Sequence, residues 1–260
     1  MYTLNHFIWI GICALVITLS IILLRKYKPG LKCVLTIACV VSVISELVKT
    51  FSLMKLVPSA DGSMFYPYIE LKNVPFHLCS IQIILIFMTR FMKESNKRTT
   101  ILAFMYPTTI VGAFAAIMIP TVFTDIVPVS SAFTHVMAYQ FFLYHAMLII
   151  LGVYIVMSKE VKIEKKHFIS SFLILFVLSF VSLYLNSMFA NVEYVNGQIV
   201  SVDNVVNFFF TYETPIGIRF TKIWHWYLYY SVLFSIATLC LFIFFIPFFK
   251  EKTKVKSSNL

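Results

Sequence analysis

The chain has 260 residues, of which 60% are apolar, 17% aromatic and only 12% charged, with a mean hydropathy of +0.89. A soluble domain needs roughly a quarter of its residues charged to cover its surface, so these proportions exclude a water-soluble globular protein. The net charge of +10 does not indicate nucleic acid, because the basic residues sit in short runs between apolar stretches. That is the pattern of loops facing anionic lipid.

Apolar runs at about 6–24, 33–54, 73–92, 100–119, 133–157, 168–190 and 223–249 each approach the ~20 residues that span hydrocarbon. They predict an all-α polytopic transmembrane helix bundle of about seven helices, read as one transmembrane domain over residues 1–260. The connections alternate in charge. Arg25, Lys26, Lys28 and Lys32 follow the first span, and Arg90, Lys93, Lys97 and Arg98 follow the third. Lys159, Lys162, Lys165 and Lys166 follow the fifth, and Lys250, Lys252, Lys254 and Lys256 close the chain. The alternate connections hold only Lys55, Lys72, Arg219 and Lys222. By the positive-inside rule the N-terminus is outside and the C-terminus inside, in a cell membrane. The leader Met1–His6 carries no positive charge, so the first span reads as a retained helix and not as a signal peptide. The stretch at 191–222, with Asn191, Asn196, Gly197, Asn204 and Pro215, is the longest connection and reads as an outer cap or re-entrant segment.

Polar groups inside apolar spans mark sites, since each costs a few kcal/mol at mid-bilayer unless paired or hydrated. Here they are His6 on the first span, Glu46 and Lys49 on the second, His77, Cys79 and Gln82 on the third, His135, Gln140 and His145 on the fifth, Asn186 on the sixth and His225 on the seventh. Glu46 and Lys49, at i and i+3, can pair on one helix face. Alternatively, Glu46 faces a hydrated cavity and orients a histidine of another helix. Pro75 suits a helix's first turn, which places Cys79 about one turn in, where the helix dipole favours a thiolate. His77 and Cys79 are about 200° apart around a helix, so a base for Cys79 comes from elsewhere, and His145 is the candidate. Cys79 otherwise reads as packing, as do Cys13, Cys33, Cys39 and Cys240, which lie in apolar runs without polar company. Counted from the helix starts, Cys79 and His145 differ in depth by roughly 10 Å. The difference narrows if the third span begins below the interface or the long fifth begins outside the hydrocarbon.

The segment Val74-Pro75-Phe76-His77-Leu78-Cys79-Ser80 resembles the signature of the YwaF-type bacterial membrane proteins, which are related to eukaryotic transmembrane protein 164. Asn5-His6, Ser45-Glu46, Phe141-Phe142-Leu143-Tyr144-His145 and Trp224-His225-Trp226-Tyr227 are similar to further elements of that family, in order along nearly the whole chain. Gln140 stands where another histidine is expected and His225 where a proline is. The element before the last helix is blurred into Asn204-Val205-Val206-Asn207-Phe208.

The resemblance implies an acyltransferase that moves a fatty acyl chain between membrane phospholipids, or to a lipoprotein, through a cysteine thioester. Carried onto this chain, Cys79 is the nucleophile and His145 the general base. His77, Gln82 or Gln140 would donate hydrogen bonds to the oxyanion, and Glu46 or His6 would orient His145. No cofactor, metal or nucleic acid is implied. Two other classes use the same residues: a transporter or channel lined by them, and a non-catalytic lipid-binding membrane protein. Against a transporter, there is no internal repeat, and Pro107 and Gly112 in the fourth span are the nearest approach to a mid-bilayer break.

The charge pattern makes a direct prediction. Cysteines substituted for Lys162 or Lys254 should resist an impermeant thiol reagent on intact cells and react after permeabilisation. Strong labelling of intact cells at either position would contradict the orientation.

Overall fold

The computed structural model describes residues 2–74, 76–214, 218 and 220–250. Pro75, Pro215, Arg219 and the basic tail from Lys252 onward lie outside the described residues. Seven helices carry the fold: α1 (Leu4–Tyr27), α2 (Leu31–Leu53), α3 (Leu78–Phe91), α4 (Asn96–Met118), α6 (Val136–Met157), α7 (Lys166–Met188) and α8 (Ile223–Lys250), with a one-turn α5 (Val122–Asp125) between α4 and α6. Six of them are long and apolar enough to cross a membrane; α3 is the shorter apolar exception.

The helix ends follow local chemistry. Thr3 caps α1, its hydroxyl accepting from the His6 N–H, and the helix ends where Lys28 turns left-handed at φ 46° ahead of Pro29 and Gly30. The Leu31 N–H at the start of α2 donates to a Glu160 carboxylate oxygen at 2.7 Å, so the loop after α6 closes the start of α2. Ser95 caps α4 by accepting from the Arg98 N–H. Pro107 lies inside a continuous α4, where Thr108 and Thr109 donate their hydroxyls back to the carbonyls of Phe104 and Met105 at 2.7 Å. Such back-bonding keeps hydroxyls satisfied where no water is at hand.

Two features depart from the sequence reading. The third span, expected from residue 73, is helical only from Leu78: residues 71–73 form a 3₁₀ turn, and Val74, Phe76 and His77 are not helical. Its 14 residues rise roughly 21 Å, short of the ~30 Å hydrocarbon thickness. The fifth span starts at Val136, with His135 as its N-cap, Nδ1 accepting from the Met137 N–H. Two antiparallel hairpins were also unforeseen. Strands β1 (Lys55–Pro58) and β2 (Phe65–Tyr68) follow α2, and β3 (Asn191–Val195) and β4 (Gln198–Asp203) follow α7.

α6 is the central helix, packed by α1, α2 and α4. Trp9 of α1 stacks flat on Phe142 of α6, centroids 4.8 Å apart, and donates its indole N–H to the Ala132 carbonyl. A second apolar cluster around Phe104, Leu175 and Leu241 joins α7 and α8 to α4. The closest approach is between α4 and α6. A Cβ on Gly152 would lie 2.3 Å from Thr109 Oγ1, 2.6 Å from Ile110 Cγ1 and 3.0 Å from the Tyr106 carbonyl oxygen. Only glycine lets the two backbones meet there.

Gly152→Ala should therefore force the helices apart and destabilise the protein by about 1–3 kcal/mol, as overpacking does. Gly11, with nothing within 4 Å of an added Cβ, should accept alanine silently. Thermal unfolding in detergent reads both; equal melting temperatures for the two variants would contradict the packing.

Candidate functional site

A cavity of about 720 Å³ lies among the C-terminal halves of α2 and α4, the middle of α7 and the N-terminal halves of α3, α6 and α8. Its polar lining includes six of the residues singled out in the sequence, Glu46, Lys49, His77, Cys79, Gln140 and His145. Its apolar lining comes mainly from Leu78, Val111, Gly112, Ala115 and Ala116 on one side, and Leu175, Leu233, Phe234 and Ala237 on the other.

Cys79 is the second residue of α3, directly after His77 and Leu78. Because α3 starts late, the cysteine sits beside the middle of α6: the Tyr144 hydroxyl donates to the Cys79 carbonyl at 2.9 Å. The bond joins the first turn of α3 to the residue that precedes His145. Across from it, Gly112 of α4 leaves room for the thiol, since an added Cβ would sit 3.3 Å from Cys79 Sγ.

His145 is buried, and its Nδ1 lies 2.6 Å from the Phe141 carbonyl oxygen one turn earlier. A carbonyl can only accept, so Nδ1 carries the proton and the lone pair falls on Nε2. The backbone thus orients the imidazole, the task the sequence reading gave to Glu46 or His6. Glu46 instead pairs with Lys49, its two oxygens 2.8 and 2.9 Å from Nζ, the self-neutralising arrangement. His6 lies outside the cavity lining, with Nε2 2.9 Å from the Ile117 carbonyl oxygen. Gln82, another proposed oxyanion donor, is also outside the lining and donates to Thr108 Oγ1 at 3.1 Å, tying α3 to α4. Gln140 donates one amide hydrogen to Ser45 Oγ at 2.7 Å, which links α6 to α2. Of the other cysteines, Cys13 and Cys39 are buried, Cys240 is half-buried and Cys33 is exposed. The Cys13 thiol is turned to the Phe142 carbonyl at 3.7 Å.

The sequence reading placed an outer cap at 191–222 without assigning its residues to the site. Residues 204–213, between β4 and α8, contribute Asn204, Asn207, Phe209, Phe210 and Thr211 to the lining. Phe208 packs edge-on against Phe76 and His77, both at 5.4 Å. Phe209 and Phe210 have φ of 56° and 54°, a left-handed conformation unfavourable for bulky residues. Surrounding bonds hold it. Asn186 of α7 brackets Phe208, donating to its carbonyl at 3.1 Å and accepting from its N–H at 2.9 Å, and also donates to Thr211 Oγ1. From α8, Trp226 donates to the Thr211 carbonyl and Tyr229 to that of Phe210. The sequence signals were the 191–222 cap, Asn186 as an intramembrane amide and the blurred 204–208 element. On the other flank, Glu70 binds Lys55 and Lys72, fastening the β1–β2 hairpin to the residues before α3. The hydrogen bonds from Lys55 and Lys72 pull its carboxyl down to about 2, so the clamp is present at neutral pH and loosens only as pH falls through that value.

Among the described residues no cluster of His, Cys, Asp and Glu has metal-binding geometry. No curated protein and no solved structure matches the chain. The sequence model of the TMEM164 family matches residues 1–246. That match takes in all seven apolar helices up to the last turn of α8 and every residue of the cavity, and the chain, a multi-pass membrane protein, belongs to the TMEM164 family.

Proposed function

We propose that the protein is an integral-membrane acyltransferase, a single transmembrane domain that moves a fatty acyl chain between membrane lipids, or onto a lipoprotein amine, through a thioester on Cys79. One observation carries this reading. A cysteine and a histidine from different helices line the same largely apolar cavity, and the histidine's Nδ1 faces a carbonyl, which leaves Nε2 as the nitrogen able to act as a base. A fatty acyl chain needs apolar walls, and the chemistry at its ester end needs a nucleophile and a base.

Cys79 gives its proton to His145 Nε2 as the sulfur attacks the ester carbonyl of the donor lipid. The C–O bond breaks, and the departing lysolipid oxygen takes the proton from the imidazolium, leaving the acyl thioester. In the second half, His145 takes the proton of an acceptor hydroxyl or amine, which attacks the thioester. The C–S bond breaks and the thiolate is reprotonated. Two groups besides the side chains His77 and Gln140 suit the oxyanion, the backbone N–H groups of Cys79 and Ser80. They lie in the first turn of α3, where N–H groups lack intrahelical partners. With the N-terminus outside, the cavity lies in the outer half of the bilayer, open to lipid of that leaflet.

Acyl transfer from a labelled phospholipid in reconstituted vesicles tests the proposal. Cys79→Ala, His145→Ala and the double variant should fall to a common floor, since residues that act as one unit are not additive. Loss of the base alone should cost roughly 10²–10⁴-fold. Cys13→Ala, Cys33→Ala, Cys39→Ala and Cys240→Ala should keep their activity. Full activity in Cys79→Ala would end the cysteine mechanism. Retained activity in His145→Ala, with solute flux through the protein, would favour a transporter.

A further inference from the structure

The β3–β4 hairpin has two unlike faces. Strand partners share a face and successive pairs alternate. Asn191 pairs with Asp203 and Glu193 with Ser201, whose hydroxyl donates to the Glu193 carboxylate at 2.9 Å. Val195 pairs with Gln198 on that same polar side. The other side holds Val192 with Val202 and Tyr194 with Ile199. Val200 is the extra residue of the bulge between the Glu193 and Tyr194 pairs. The turn is Asn196-Gly197, both at positive φ (52° and 78°), as a two-residue hairpin turn requires. Tyr194, Ile199 and Val202 are all more than half exposed. An isolated two-stranded hairpin with a bare apolar face is marginal in water, so this face needs a covering.

The chain's own continuity identifies that covering. α7 exposes Phe176, Phe180, Tyr184 and Met188, an unbroken four-residue repeat that forms one lipid-facing stripe. Only Phe189 and Ala190 separate the last turn of α7 from β3, so the hairpin starts where the apolar span ends. Its apolar face combines a tyrosine with branched aliphatics and carries no charge, while both acidic residues, Glu193 and Asp203, are on the opposite face. An aromatic–aliphatic face at the end of a span, with charge turned away, suits the headgroup–acyl boundary. We infer that the β3–β4 hairpin lies on the bilayer interface, with Val192, Tyr194, Ile199 and Val202 in lipid and Glu193 and Ser201 in water.

The placement matters for the cavity, because Asp203 leads directly into the Asn204–Thr211 roof. A hairpin resting on lipid fixes that roof's height above the bilayer. The inference depends on the protein spanning a membrane and is independent of the acyl-transfer chemistry.

Photo-crosslinking of the full-length protein in radiolabelled phosphatidylcholine vesicles tests it. A benzophenone amino acid replaces Tyr194, Ile199 or Val202 on one face and Glu193 or Ser201 on the other, with the lipid-facing Val177 of α7 as reference. Lipid adducts at 194, 199 and 202 comparable to that at 177, and several-fold weaker at 193 and 201, are expected. Adducts joining two protein chains at 194 or 199 would assign the face to a second copy and overturn the inference. So would lipid labelling at 177 with none at 194, 199 and 202, or equal labelling on both faces.

Discussion

The contact of α4 with α6 at Gly152 is the constraint on which the rest of the arrangement depends. Lipid offers no hydrophobic drive for helices to associate, so close backbone approach and buried hydrogen bonds must hold them. Gly152 lets α6 seat against Thr109, Ile110 and the Tyr106 carbonyl. From that seat α6 reaches its other neighbours through three polar links. Gln140 reaches Ser45 of α2, Tyr144 reaches the Cys79 carbonyl of α3, and Glu160 beyond its end reaches the Leu31 N–H. Tyr154 makes a fourth, donating to the Pro29 carbonyl. The helix that is best enclosed is thus also the one that presents His145.

The late start of α3 has a geometric consequence. A full-length span would carry Cys79 near the interface, away from the middle of α6. α3 starts only at Leu78, after the 3₁₀ turn at Leu71–Asn73, and Gly112 gives the thiol space. One short helix therefore brings a first-turn cysteine into the cavity that Tyr144 and His145 also line. The roof from Asn204 to Thr211, strained at Phe209 and Phe210 and bound from two helices, closes the space above them.

Much of this was legible in the sequence, for physical reasons that also explain the misses. Hydropathy exposes spans because lipid tolerates few charges, and six of seven apolar runs matched long helices within a few residues. The third misled because Val74 and Phe76 are as apolar as a span while lying outside the helix. The hairpins were hidden because their strands, rich in Val, Ile and Tyr, sit immediately beyond apolar helix ends. Six polar residues marked the cavity because a polar group inside a span needs a reason. The partners of several polar groups inside the bundle were not legible, since their bonds run to main-chain carbonyls. Phe141 serves His145, Ile117 serves His6 and Ala132 serves Trp9, and a carbonyl leaves no mark in a residue pattern. Glu46 and Lys49, by contrast, paired at the i, i+3 spacing visible in the chain.

The central claim is that the thiol of Cys79 carries the acyl group in transit. Its most direct test is mass spectrometry of the purified protein after brief incubation with a phospholipid bearing a labelled fatty acyl chain and no acceptor. The account predicts one added acyl mass on the peptide containing Cys79, released by hydroxylamine at neutral pH and absent in Cys79→Ala. An acyl mass that survives hydroxylamine, that sits on another cysteine, or that persists in Cys79→Ala would contradict it.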